Sequence, residues 1–200
     1  MNVDQGTRFG TWGDETSQLM YFGIMPVMLN GVNTTGRVGD LGGGNGLLKR
    51  WIPDAITIDQ DASKEPDIVD DVITHVGEYD LVVIRYVLHY LTNEQVLQLF
   101  ANLAANHAGP VLLIQFVNDD LEAKYKNSVN ETKYFRREHE LKSLIANTHT
   151  IKTRKAVEYT VGAEFYRNRL NHPNPTAHQE TVVGYLLERT THALQPEQRG

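Results

Sequence analysis

Arg37-Val38-Gly39-Asp40-Leu41-Gly42-Gly43-Gly44-Asn45-Gly46-Leu47-Leu48 is the stretch whose reading decides the fold. Its apolar entry reads as a strand, glycine then recurs at every second position, Gly42, Gly44 and Gly46, and Leu47-Leu48 opens a short helix. Glycine is needed in such a turn because the backbone must take positive φ angles and let a ligand approach, which a Cβ would prevent. The turn is expected to present unpaired N–H groups, and these, with the helix dipole, favour a carboxylate or phosphate.

The spacing excludes two other phosphate-binding turns. A dinucleotide fingerprint, Gly-x-Gly-x-x-Gly, would need glycine where Leu47 or Lys49 stands, and a P-loop would need Gly-Lys-Ser or Gly-Lys-Thr where Gly46 is followed by Leu47-Leu48. What remains, an acidic strand end followed by Gly-x-Gly-x-Gly over Val38 to Gly46, resembles the first motif of class I S-adenosylmethionine-dependent methyltransferases. The resemblance implies an α/β fold. Its form would be a three-layer, Rossmann-like, seven-stranded sheet, mostly parallel with an antiparallel last strand, plus an N-terminal helical cap. The expected division is residues 1–30 for the N-terminal segment and cap or lid, 31–192 for the donor-binding domain, and 193–200 for a tail.

Composition agrees with one such domain. The chain has 200 residues, enough for a sizeable core, and no cysteine, which excludes disulfides, thiolate metal sites and a cysteine nucleophile. A net charge of −6 gives no electrostatic footprint for nucleic acid. The local basic cluster Lys124, Lys126, Lys133, Arg136, Arg137 and Lys142 is interleaved with Glu131, Glu138 and Glu140, as on a solvated helix face. The apolar run Leu19 to Leu29 contains Gly23 and Pro26 and falls short of the ~20 residues that span a bilayer. A cytoplasmic protein with no nucleic-acid and no membrane partner is therefore expected, with homodimerisation left open.

Residues 14–29 read as a helix that is apolar almost all round and broken or kinked near Pro26, either docked on the core or serving as a lid over a substrate. After the glycine turn, Pro53 stops the next helix early, and Ala55-Ile56-Thr57-Ile58 leads as a buried strand to Asp59. The resemblance implies that Asp59, with Asp61 as its competitor and Gln60 beside it, meets the donor's ribose hydroxyls. It also implies that Asp71 and the Val72 amide, with Asp70 as the alternative, hold the adenine. One of those two aspartates could instead merely cap the next turn. Asp40 is placed near the donor's ammonium, and Gly42, Gly43 and Gly44 near its carboxylate. The link from Asp59 to Ile68-Val69 is too short for a full crossover helix, so any helix there is vestigial.

Asp80 to Arg85 is a continuous apolar strand, Thr92-x-x-Gln95 is a capping box, and Val96, Leu99, Phe100 and Leu103 form one face of the helix that follows. Val111 to Val117 is a fifth strand with Asn118-Asp119-Asp120 beyond it. Glu131 to Asn147 reads as mostly helical, and Ile151 to Val161 with Thr181 to Glu188 as a closing strand pair around the loop His172 to His178.

Tyr86-Val87-Leu88-His89 follows the fourth strand, as in small-molecule methyltransferases. S-adenosylmethionine is the implied cosubstrate and a small molecule the implied acceptor, methylated directly on O, N or C. If that acceptor is an alcohol or phenol, a base must take its proton, and His89 has the place and the chemistry. Tyr86 and Arg85 would orient the acceptor, Arg85 lying near the donor as well, and His139 is the alternative histidine. No metal is expected, since His172, His178 and Glu180 lack a ligand spacing. A non-catalytic binding protein on the same fold is the competing reading.

Overall fold

The computed structural model describes residues 23–117, 125–126, 132–161 and 178–190. Expectations for residues 1–22, for Asn118 to Asp120, for the side chains of Lys124, Lys126, Glu131, Lys133, His178 and Glu180, for the loop from His172, and for the tail fall outside the described residues.

Nine strands are described: β1 Val38–Leu41, β2 Ile56–Asp59, β3 Ile68–Val69, β4 Leu81–Arg85, β5 Val111–Val117, β6 Tyr125–Lys126, β7 Thr132–Lys133, β8 His149–Val161 and β9 His178–Arg189. The α-helices are α1 Ile24–Leu29, α2 Asn93–Asn106 and α3 Glu138–Ile145. Seven strands make one sheet in the order β3-β2-β1-β4-β5-β9-β8, and β6 with β7 forms a separate two-stranded sheet. Neighbours from β3 to β5 are parallel, while β9 runs antiparallel to both β5 and β8. The order reverses between β1 and β4. Ligands of open α/β sheets bind at such a switch point, outside the carboxyl ends of the strands.

Burial on two faces explains why β4 and β5 read as unbroken apolar runs. Val82, Ile84, Leu113 and Tyr185 cluster with Val96, Leu99, Phe100 and Leu103 of α2 and with Leu141 and Ile145 of α3. On the opposite face Leu81, Val83, Leu112, Ile114 and Val182 cluster with Ile24, Met25 and Met28 of α1. The Thr92 hydroxyl accepts the Gln95 N–H and the Gln95 side chain accepts the Thr92 N–H, so the expected capping box starts α2.

α1 is docked, not raised over the site. Its three buried side chains have no exposed surface, and burial of each contributes about 1.5–3 kcal/mol. A Cβ at Gly184 of β9 would collide with Met28 Sδ, so glycine there makes room for the helix. Lys155 of β8 donates to the Met28 carbonyl at 2.9 Å. Pro26 lies within the described α-helical turns Ile24–Leu29; the chain before Gly23, where the expected helix would begin, falls outside the described residues.

The short helix after the glycine turn is the four-residue 3-10 turn Leu47–Arg50, and the vestigial helix of the β2–β3 link is the 3-10 turn Ala62–Lys64. One expectation is corrected. The helix expected over Glu131 to Asn147 is confined to α3. Tyr134 to Arg136 stays non-helical because the Arg136 guanidinium is drawn inward onto backbone carbonyls, and α3 starts only where the Glu140 carboxylate accepts the Arg137 N–H at 2.8 Å.

Candidate functional site

The glycine turn has the expected backbone and an unexpected occupancy. Gly42, Gly44 and Gly46 take φ of 70°, 59° and 74°. A Cβ at Gly42 would strike Val87, whereas one at Gly44 would meet, among the described residues, only Lys64 Cδ, at 3.7 Å, so among them Gly44 is the open face of the turn. The N–H groups are not left for a ligand: Gly42 and Gly43 both donate to the Ile58 carbonyl, Gly46 to that of Gly43, and Gly44 to Asp59 Oδ2 at 2.9 Å. The turn is thus tied to the end of β2. Its expected role as a cradle of free amides is corrected for these four positions.

Asp40 also differs from its expected role. Arg85 donates from Nε to Asp40 Oδ1 at 3.2 Å and from Nη2 to Oδ2 at 2.6 Å, with both side chains buried. The carboxylate that was to face an ammonium already faces a guanidinium. Arg85, expected to orient the acceptor, is directed back into the sheet edge, where it joins the end of β4 to β1.

Asp59 is held differently. Its Oδ2 accepts Gly44 N–H and its Oδ1 accepts Asp61 N–H at 3.0 Å, while Lys64 Nζ approaches Oδ1 at 3.7 Å. A carboxylate has about four lone-pair sites, so two neutral amides leave capacity for a diol. Asp61, the competitor, caps the following 3-10 turn by accepting the Ser63 N–H, and Gln60 is exposed beside it.

The second aspartate pair divides its roles. Asp71 caps a turn through the Ile73 N–H at 2.9 Å and is exposed; Val72 is buried. Asp70 pairs with His75 Nδ1 at 2.7 Å, a hydrogen bond that holds its carboxyl below the usual range. His75 Nε2 lies 2.9 Å from the Tyr79 hydroxyl, whose pKa is raised by burial. This Asp70–His75–Tyr79 chain braces the β3–β4 link; no local pattern in the sequence announces it.

Beyond β4 the chain enters a strained corner. Tyr86 has φ of 55°, a left-handed conformation that bulky side chains adopt rarely and that is concentrated at functional sites. His89 follows on the 3-10 turn Leu88–Tyr90 and is buried. Its ring lies 4.0 Å from that of Tyr90 and 4.7 Å from that of Phe116. Phe116 in turn stacks on Tyr86 at 6.1 Å and meets Phe135 at 5.5 Å. Five rings therefore gather at the carboxyl ends of β4 and β5.

Two polar side chains fix this corner, and neither was singled out for it. Arg136, buried, donates to the carbonyls of Leu88 at 2.7 Å and Leu91 at 2.6 Å and to Asn93 Oδ1 at 2.9 Å. Burial lowers its pKa, which a guanidinium tolerates because it stays charged well above neutrality. Gln115 of β5 accepts the Leu88 N–H at 3.2 Å. It was legible as the one polar residue inside Val111–Val117. His139, on α3, is exposed.

No family model matches the sequence, and no curated protein matches it. Solved structures do match in fold. The Burkholderia thailandensis 1,6-didemethyltoxoflavin-N1-methyltransferase, solved with 1,6-didemethyltoxoflavin and S-adenosylhomocysteine, aligns with TM-score 0.60 at 15% identity, over 86% of this chain and 80% of its own. An O-methyltransferase from a trans-AT polyketide synthase of Brevibacillus brevis, in complex with S-adenosyl-L-homocysteine, aligns with TM-score 0.58 at 15% identity, over 84% and 72%. A SAM-dependent methyltransferase of Leishmania major gives 0.57 at 14% identity, over 86% and 74%. The chain thus has the class I methyltransferase fold.

Proposed function

We propose that this chain is an S-adenosylmethionine-dependent methyltransferase acting on a small-molecule acceptor. The observation that carries the reading is Asp59, a buried carboxylate at the end of β2 that, among the described residues, accepts hydrogen bonds from two neutral amides, has Lys64 Nζ at 3.7 Å, and lies against Gly44, the open face of the turn. A ribose diol fits the lone pairs that remain. Gln60, Asp71 and Val72 line the same edge for the rest of the nucleoside. The methionyl half would be bound differently from the sequence expectation, because the Asp40 carboxylate is neutralised by Arg85 and the turn amides are engaged.

When bound, S-adenosylmethionine supplies an electrophilic methyl on a sulfonium. The chain's own contribution is positioning, which alone can account for much of the acceleration of an in-line displacement. Tyr86, His89, Tyr90 and Phe116 form an apolar, aromatic wall beside the switch point, suited to a flat acceptor that must be kept from water. Arg136 holds the turn that carries His89, and Arg85 holds the strand end that carries Tyr86.

The saturated turn and the Asp40–Arg85 pair favour the second reading, a non-catalytic binding protein on the same fold. Thermal unfolding with S-adenosylmethionine and S-adenosylhomocysteine, for wild type and Asp59→Ala, separates the two. A ligand at a hundred times its dissociation constant stabilises by about 2.7 kcal/mol, and loss of a charged hydrogen bond costs about 1.5–3 kcal/mol, tenfold or more in affinity. The expected result is a shift in the wild type that Asp59→Ala loses. A wild type unmoved by either ligand would remove the methyltransferase reading and leave the binding protein.

A further inference from the structure

β3 is only two residues long, and the chain that leaves it carries Asp71 and Val72 along the edge proposed for the nucleoside. A ladder that short fixes little beyond its own end, so the turn that follows needs another hold. Side chains supply it. Asp70 Oδ1 accepts the Asp71 N–H at 2.8 Å, and Asp70 Oδ2 meets His75 Nδ1 at 2.7 Å, closing residues 70–75 into a ring. Within that ring the Asp71 carbonyl accepts the N–H groups of Thr74 and His75, and Asp71 Oδ1 accepts that of Ile73.

His75 ties this ring to the core. Its Nε2 lies 2.9 Å from the Tyr79 hydroxyl, and its carbonyl accepts a hydrogen bond from Asn102 Nδ2 of α2 at 2.8 Å. The Tyr79 ring packs directly on glycine backbone: a Cβ at Gly39 of β1 would stand 2.9 Å from it, and one at Gly77 2.5 Å. Chemistry fixes the polarity of the chain. Asp70, its carboxyl held below the usual range, is a carboxylate that can only accept, so His75 Nδ1 donates to it. A neutral imidazole then accepts the Tyr79 O–H at Nε2, and a protonated one donates to that oxygen, so both contacts persist in either state.

The Asp70 side chain is 44% exposed, and an ion pair with an exposed member contributes little to stability. What the chain Asp70–His75–Tyr79 secures is the position of the turn. We propose that His75 is a positioning residue for the nucleoside: held by Tyr79 against β1, it sets the turn of residues 70–75 so that the Asp71 carboxylate and the Val72 amide meet the edge of the base. The clamp stands on geometry, while the base it serves rests on the methyl-transfer reading. A carboxylate and an N–H placed side by side select a base that offers an amino group beside a bare ring nitrogen. They reject one that offers an oxo group beside a ring N–H, since lone pairs would then face lone pairs and donor would face donor.

The test is calorimetry of the full chain with S-adenosylhomocysteine and with S-inosylhomocysteine, whose base has the oxo group and the ring N–H. The wild type is expected to bind the adenosyl probe about tenfold or more tighter, the scale of one charged hydrogen bond. His75→Phe keeps an aromatic ring and loses both nitrogens. It is expected to weaken the adenosyl probe, leave the inosyl probe little changed and so nearly erase the preference. If it does not fold, His75→Phe joined to Tyr79→Phe, which leaves no buried hydroxyl without its partner, is held to the same criteria. A variant that keeps the wild-type preference overturns the proposal, even where both probes bind more weakly, because a general loosening moves them together. A wild type that binds both probes alike also overturns it and leaves the methyl-transfer reading standing. A wild type that binds neither removes that reading and the proposal with it.

Discussion

Asp40 and Asp59 lie at the carboxyl ends of neighbouring parallel strands, and their surroundings are opposite. Asp40 has no exposed surface and is closed by a two-pronged guanidinium, while Asp59 keeps 6% exposure and is held by the amides of Gly44 and Asp61, with a cation only at 3.7 Å, Lys64 Nζ. Neutral amides hold a carboxylate in place without cancelling its charge or using all its lone pairs. A guanidinium does both. Of two acidic strand ends on one sheet edge, one is therefore built into the scaffold, and the other is the one proposed to recognise a ligand.

Breaking Asp40 gives the largest expected effect. Asp40→Ala removes the carboxylate that faces the buried Arg85 guanidinium, and removal of one member of a buried pair costs about 3–5 kcal/mol. Urea unfolding of Asp40→Ala should show that loss. The double variant Asp40→Leu with Arg85→Met should recover most of it, because apolar replacement of a whole buried pair is often neutral. Asp59→Ala should unfold close to wild type and fail in donor binding instead. A small loss in Asp40→Ala would mean that Arg85 readily finds another partner, and the contrast between the two carboxylates would weaken.

The same cost of an uncompensated buried charge sets the acid limit, at a third place. Burial first, then the neighbouring His107 and Arg189, push His149 down to about 4. Its folded value lies below the ordinary imidazole value of about 6.5, so as pH falls the unfolded chain takes the proton first. Stability is thus complete above about pH 6.5 and declines as pH falls towards 4, by about 3 kcal/mol in all. Glu138 does not share this window. Hydrogen bonding by Arg154 above all holds its carboxyl far below the usual range, so its stabilisation is full above about pH 4.5 and fails only in stronger acid. Urea midpoints from pH 7 to 4.5 should fall in the wild type and flatten in His149→Phe, where the ring can keep its edge contact with Phe100.

The sheet was legible because its signals are local. Continuous apolar runs mark β4 and β5, alternate glycines mark the β1 turn, and Thr92 with Gln95 marks the start of α2. For the site, a position in the topology could only suggest a role, as the end of β2 does for Asp59. The Arg85–Asp40 bond spans 45 residues and the Arg136–Leu88 bond 48, and no pattern within one element records either. Arg136 read as part of a solvated basic face because its neighbours Arg137, Glu138 and Glu140 are polar, yet it is the one drawn inward to cap carbonyls of the His89 turn. Likewise the amides of a glycine turn look available until the end of β2 is seen to take them.

The smallest expected effect gives the finest test of the open carboxylate. Lys64 Nζ stands 3.7 Å from Asp59 Oδ1 and 4.0 Å from Asp61 Oδ2, with its side chain 23% exposed. A partly exposed pair of that length contributes about 0.2–1 kcal/mol, so Lys64→Met should barely move the unfolding midpoint. Its effect on binding depends on which side of Asp59 a ligand uses. If the ribose diol takes the lone pairs that Lys64 now approaches, the cation competes with the ligand. Calorimetry should then show S-adenosylhomocysteine binding up to about fivefold tighter in Lys64→Met, the factor that about 1 kcal/mol allows. A weaker complex would place Lys64 against the ligand itself. Asp59 would then be an anchor for that lysine, and the difference between the two strand-end carboxylates would be one of degree.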